Sequence, residues 1–217
     1  MFAPLSRLYT LLPRAALALA LAAGLTGAAH AGTIHFAIDT AGFGASGYLD
    51  MQFAGANLDV LPASATVSNL TGFDPAATVE LNGDVAPLAG GYRFGNAPGW
   101  NDLFYAVNFG GVFGFDVTFD GSFDPALFIN ASRFGVGAYA ADGVTALGLA
   151  DPASGFLAAV DWTPSATPGG SAGAVISVFD AGAVTAVPEP AGWLLGGTAL
   201  ALVVLSTRRR AVPRRAA

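Results

Sequence analysis

Phe113-Gly114-Phe115-Asp116-Val117-Thr118-Phe119-Asp120 sets a large apolar side chain at every second position, with glycine, threonine and two aspartates between them. Successive side chains of a strand point to opposite faces, so this period of two buries one row and wets the other. The same period recurs on either side. Ile34, Phe36 and Ile38 alternate with His35, Ala37 and Asp39, and Leu49, Met51 and Phe53 with Tyr48, Asp50 and Gln52. Phe134, Val136 and Ala138 form a further row, Phe156, Ala158, Val160 and Trp162 another, and Ala174 to Phe179 is a β-branched run. Turn signals stand between the runs at Asn82-Gly83-Asp84, Asp120-Gly121, Asp142-Gly143 and Pro168-Gly169-Gly170. No stretch of the body carries an apolar helical stripe with caps. The pattern predicts an all-β domain of eight to ten short strands, a two-sheet antiparallel β-sandwich of jelly-roll-like form.

The chain has 217 residues, no cysteine and no lysine. Disulfides, thiolate metal sites and cysteine nucleophiles are therefore excluded, and stability has to come from packing and hydrogen bonds. Charge is unevenly placed. Residues 32–186 hold two arginines, Arg93 and Arg133, against fourteen acidic residues, a formal charge of −12. A field of that sign repels nucleic acid and anionic membrane surfaces, so nucleic acid is not an expected partner.

The two ends read as addresses. Arg7 and Arg14 precede the apolar run Ala15 to Leu25, which has the length of a signal-peptide core and is short for a membrane span. Ala29 and Ala31 supply the small residues before Gly32, so residues 1–31 are expected to be removed there by signal peptidase. At the other end, residues 187–217 open with Val187-Pro188-Glu189-Pro190, followed by an apolar stretch from Ala191 and the cluster Arg208, Arg209 and Arg210. A helix over residues 191–207 would rise roughly 24–26 Å, enough to span with snorkelling arginines. Trp193 falls at one interface and the arginines on the cytoplasmic side. The body, residues 32–186, then lies outside that membrane. Prolines on both sides of Glu189 deny the tripeptide regular ladder bonding and should leave it extended and accessible.

Pro188-Glu189-Pro190, a short apolar helix and a terminal arginine cluster, in that order, resemble the PEP-CTERM sorting signal of Gram-negative bacteria. The resemblance covers about Val187 to Arg210. It implies an exosortase-type processing peptidase as partner, a transient inner-membrane anchor, and a final place at the cell surface or outside it. It also implies a link to exopolysaccharide or biofilm. The stretch Gly32 to Phe53 and the later segment from Asn101-Asp102-Leu103-Phe104 to Phe115-Asp116-Val117-Thr118-Phe119 look like those of small PEP-CTERM proteins with no assigned activity. That likeness brings no catalytic residue.

Reactive groups in the body are sparse. Once the leader is gone His35 is the one histidine, on an outward face, and no G-x-S-x-G elbow is present. Asp116 and Asp120 would share a strand face about 13 Å apart, too far for a glycosidase pair, unless Asp124 folds back beyond the turn. No catalytic residue and no cofactor is expected; calcium at the Asp120, Asp124 or Asp142 loops would suit grouped oxygen ligands, without any D-x-D-x-D-G run to support it. Of the rings Tyr92, Trp100, Tyr105, Tyr139 and Trp162, only Trp100 lies in an open loop, Gly95-Asn96-Ala97-Pro98-Gly99-Trp100-Asn101, and is the candidate ligand contact. The expected role is structural or interaction-based, with a carbohydrate-binding module as the alternative and an aspartate-based hydrolase last.

Overall fold

The computed structural model describes residues 32–55, 61–97, 99–121, 131–165, 167 and 172–188. They form strands β1 (Thr33–Asp39), β2 (Ser46–Gly55), β3 (Ala63–Thr71), β4 (Val79–Asn82), β5 (Val85–Leu88) and β6 (Gly91–Gly95), then β7 (Asp102–Asn108), β8 (Val112–Gly121), β9 (Ser132–Ala140), β10 (Ala158–Thr163), β11 (Gly173–Val178) and β12 (Val184–Pro188). No helix occurs among the described residues, so none there is long and apolar enough to cross a membrane. The strands make two six-stranded antiparallel sheets, ordered β12-β1-β8-β3-β6-β5 and β11-β10-β9-β2-β7-β4. Through β8 the chain is a long ribbon doubled on itself: β1 pairs with β8, β2 with β7 and β3 with β6. Its two halves alternate between the sheets, and β9 to β11 and β12 then extend one edge of each.

One core joins the sheets. Phe36 and Phe115 face each other across the β1–β8 ladder and stack at 5.1 Å. From the opposite sheet, Phe134 of β9 reaches Phe36, Phe94, Phe115 and Phe119 at centroid distances of 5.8, 6.1, 6.4 and 6.3 Å. Such tilted and edge-on contacts suit the ring quadrupole and add to the burial itself. Phe119 continues the cluster by stacking on Trp162 at 5.9 Å.

Several expectations need correction. There are twelve strands among the described residues, not eight to ten, because the short, mostly exposed strands β4 and β5 show no apolar row. Asp120-Gly121 is no turn, since β8 runs through Gly121. Phe156 does not share the face of Ala158, Val160 and Trp162: its ring lies over Gly135 on the outer side, and Leu157, fully buried, takes the core position. Asp50 was expected on a wet face and is only 2% exposed. The last strand also takes in Val187, which pairs with His35, and Pro188, which pairs with Ile34, so the first residue of the tripeptide lies in a ladder that its prolines were expected to prevent. By contrast Asn82-Gly83 is a turn, joining β4 to β5 with Gly83 at φ 70°, the left-handed region that glycine enters without steric cost. Asp142-Gly143 also turns the chain, whereas Pro168-Gly169-Gly170 lies outside the described residues.

The Phe134→Ala substitution should remove the ring that bridges the sheets and cost ~3–5 kcal/mol, a large part of a domain's usual margin. Urea unfolding would show it as a lower midpoint. Val175→Ala, at an exposed position of edge strand β11, should leave the midpoint nearly unchanged.

Candidate functional site

Trp100 is 72% exposed. Two buried asparagines pin the loop that carries it. Asn96 accepts from the Ala63 amide at 2.9 Å and donates to the Leu61 carbonyl at 2.7 Å and Ser132 Oγ at 3.0 Å. Asn101 donates to the carbonyls of Phe53 at 3.1 Å and Ala97 at 2.8 Å, and accepts from the Asp84 amide at 2.8 Å. Any side chain on Gly83 would collide with the Trp100 carbonyl, so the β4–β5 turn packs directly on the loop. The indole is thus an apolar surface on a fixed base.

The other rings nominated with it lie elsewhere. Trp162 is in the core at 3% exposure, and Tyr105, equally buried, donates its hydroxyl to the Asp74 carbonyl at 2.8 Å. Tyr139 belongs to an aromatic group on the outer face with Tyr48 and Phe104. Tyr92 stands edge-on to Tyr105 at 6.4 Å. Among the described residues, the structure does not gather these rings into one platform.

His35 points outward as expected, and its position reveals a partner remote in sequence. Its Nδ1 donates to Asp116 Oδ1 at 2.6 Å, while Asn69 Nδ2 donates to Asp116 Oδ2 at 2.6 Å. Burial alone would push the Asp116 carboxyl up, but the bonds from Asn69 and His35 outweigh it and hold the carboxyl below its ordinary range. Asn69 reaches Asp116 because β3 shifts register between Ser68 and Thr71 and Asn69 takes φ 54°. Across the sheet the row reads His35, Asp116, Ser68. The acid stands between the other two, whereas nucleophilic serine chemistry needs the histidine in the middle.

The aspartate loops have local duties. Asp142 accepts from the Val144 and Thr145 amides and from Thr145 Oγ1 at 2.6 Å, bonds that lower its carboxyl to about 2. Asp120 accepts from the Gly121 amide at 2.9 Å. No group of three potential metal ligands occurs among the described residues, and Asp124 lies outside them. Of the sorting and processing residues, Pro188 closes β12 and Gly32 is the first residue described. Glu189, Pro190, Trp193, Arg208, Arg209, Arg210, Ala29 and Ala31 all lie outside the described residues.

Asp50 is the group that sequence reasoning missed. It sits mid-strand in β2, opposite Phe104 of β7 and Gly137 of β9. Tyr48 stacks on Phe104 at 4.7 Å, and Tyr139 leans on Phe104 at 5.5 Å. The β9–β10 connection closes over them, with Gly143 against Phe104 and Tyr48, and Gly155 beside the Tyr139 hydroxyl. Gln52 donates to Asp50 Oδ2 at 2.6 Å, while Oδ1 is buried without a partner. Desolvation dominates over the Gln52 bond, the Asp102 charge adds to it, and the carboxyl is raised to about 7. Only the aspartate itself could have hinted at this in the sequence, since its burial comes from rings on two other strands.

A carboxyl raised from 3.8 to about 7 on folding holds its proton in the folded protein where the unfolded chain has lost it. Its contribution is complete below the lower value and is lost as pH rises through the upper one. Between pH 5 and pH 8 the protein should lose ~2–3 kcal/mol from this source, read by urea unfolding at the two pH values. Asp50→Asn should remove most of that difference. An equal loss in the variant would place the titration elsewhere.

Compared with known proteins, the chain matches no family model, no curated protein and no solved structure.

Proposed function

We propose that this chain is an exported cell-surface or extracellular-matrix protein with a structural or interaction role, its body a jelly-roll-type β-sandwich and its destination set by the two terminal segments. On this reading signal peptidase removes residues 1–31. Residues 191–207 hold the protein briefly in the inner membrane, and an exosortase-type peptidase recognises Pro188-Glu189-Pro190 and processes the chain near it. The observation that carries the reading is the pairing of Ile34 with Pro188. The tripeptide begins in the last strand with no spacer, beside the point where the body begins at Gly32. Both addresses then attach to one end of one sheet edge, which suits a domain presented on the outer side of a membrane. A formal charge of −12 over residues 32–186 favours solubility there.

The second reading, a carbohydrate-binding module for exopolysaccharide, is favoured by Trp100, a large ring 72% exposed on a pinned loop. Hydrolysis has less support: Asp116 is committed to His35 and Asn69, and Asp120 to a local amide.

Intact-mass measurement on protein from cells with and without the processing peptidase tests the first reading. With the peptidase, the mature chain should begin at Gly32 and end close to Pro188. Without it, the mass should include the tail through Ala217. Retention of the tail in both strains would remove the sorting assignment.

A further inference from the structure

We propose that the cleft at one end of the sandwich, between the β3–β4 loop and the β5–β6 turn, binds an uncharged saccharide ring, with Tyr92 as its stacking wall. This rests on the carbohydrate-binding reading above and assigns that reading a site away from Trp100.

The cleft arises from the bulge in β3. After the register shift at Ser68 to Thr71, the chain leaves the sheet and Phe73 folds back to plug the end of the core. Phe73 packs edge-on to Tyr105 at 4.9 Å and to Phe113 at 5.1 Å. Asp74 turns the chain by accepting from the Ala76 amide, and its carbonyl takes the Tyr105 hydroxyl. Floor and wall are therefore fixed by edge-on ring contacts and a part-buried hydrogen bond. On the far side Tyr92 is half-buried, and the turn into its strand is Ala89-Gly90. Space around Gly90 is open, while Gly91, which opens β6, is buried and any side chain there would strike the Val67 carbonyl. At Gly90 the rim is bare backbone, which leaves that side of the mouth unobstructed.

The resulting space is about 540 Å³, within the range of small-ligand sites. Aromatic and proline rings supply half of its lining residues, with Leu70, Leu88, Asn69 and two glycines making up the rest. None of its lining side chains carries a charge. A uronate or phosphate entering it would give up water without meeting a cation, inside a body of formal charge −12. A neutral sugar loses little there. Its C–H face can lie on a tyrosine ring while its hydroxyls meet the phenol and the exposed backbone of the glycine turn.

The test is titration of the chain from Gly32 to Ala217, tail included, with a neutral β-linked glucan hexaose and, separately, with alginate oligomers. The hexaose should bind and alginate should not. Tyr92→Ala should weaken hexaose binding roughly tenfold or more, Tyr92→Phe should largely retain it, and Trp100→Ala should change it little. Leu88→Arg, at an exposed rim position, should block the mouth without disturbing the core, and so covers the case in which Tyr92→Ala unfolds. Hexaose binding that survives Tyr92→Ala and Leu88→Arg but fails in Trp100→Ala would overturn the cleft and leave the carbohydrate reading standing. Binding of alginate as tight as that of hexaose would overturn the neutral specificity. No binding of either would overturn the cleft and the carbohydrate reading together.

Discussion

The insertion of Phe134 among Phe36, Phe94, Phe115 and Phe119 is the contact on which the sandwich depends. A chain without cysteine cannot fasten two sheets covalently, so the sheets stay together only as far as their inner faces interlock. Five rings meeting from two sheets do this with large burial per residue and with geometry that fixes both register and separation. A one-residue slip in β8 or β9 would turn its apolar row to solvent, which is why alternation had to be strict in those two strands.

Glycines on the strands serve the same rings. Gly135 lies under the Phe156 ring and Gly121 under Trp162, where a methyl group would sit 2.7 Å from the indole. Gly137, opposite Asp50, approaches the Tyr139 ring in the same way. Strand glycine usually weakens a sheet. Here it creates recesses in which aromatic side chains lie flat, and the outer face of one sheet gains a second small cluster that shuts Asp50 away from water. The raised carboxyl is a by-product of how those rings are seated, since nothing in its own strand demands burial.

Legibility in the sequence followed the source of each feature. Rows such as Phe113 to Phe119 or Ile34 to Ile38 record burial on one face, and the structure places them in the core. β4 and β5 left no such record because their residues are mostly exposed and the single turn glycine between them is ordinary. β3, rich in alanine, serine and threonine, carries its alternation in residues too small to announce it. The His35–Asp116 pair joins residues 81 apart and depends on strand order, as does the Ser68 position that rules out a triad arrangement. The cleft was equally hidden: it needs a bulge, a loop and a turn from three parts of the chain. Trp100 was readable because its neighbours are loop formers, and the two asparagines that anchor the loop flank it in the same stretch.

Strand order also constrains when the domain can form. β1 lies between β8 and β12, so the first strand of the body finds one partner roughly midway along the chain and the other in the last of the described strands. Contacts this distant in sequence make folding slow, because loop closure has to precede their reward. For a protein on the proposed export route, the β12–β1 ladder cannot form while β12 is still inside, although the other strands pair without it. Closure then sets Pro188 against Ile34 at the moment the whole body is outside. On that route, the last ladder to form is the one that brings the two terminal segments together.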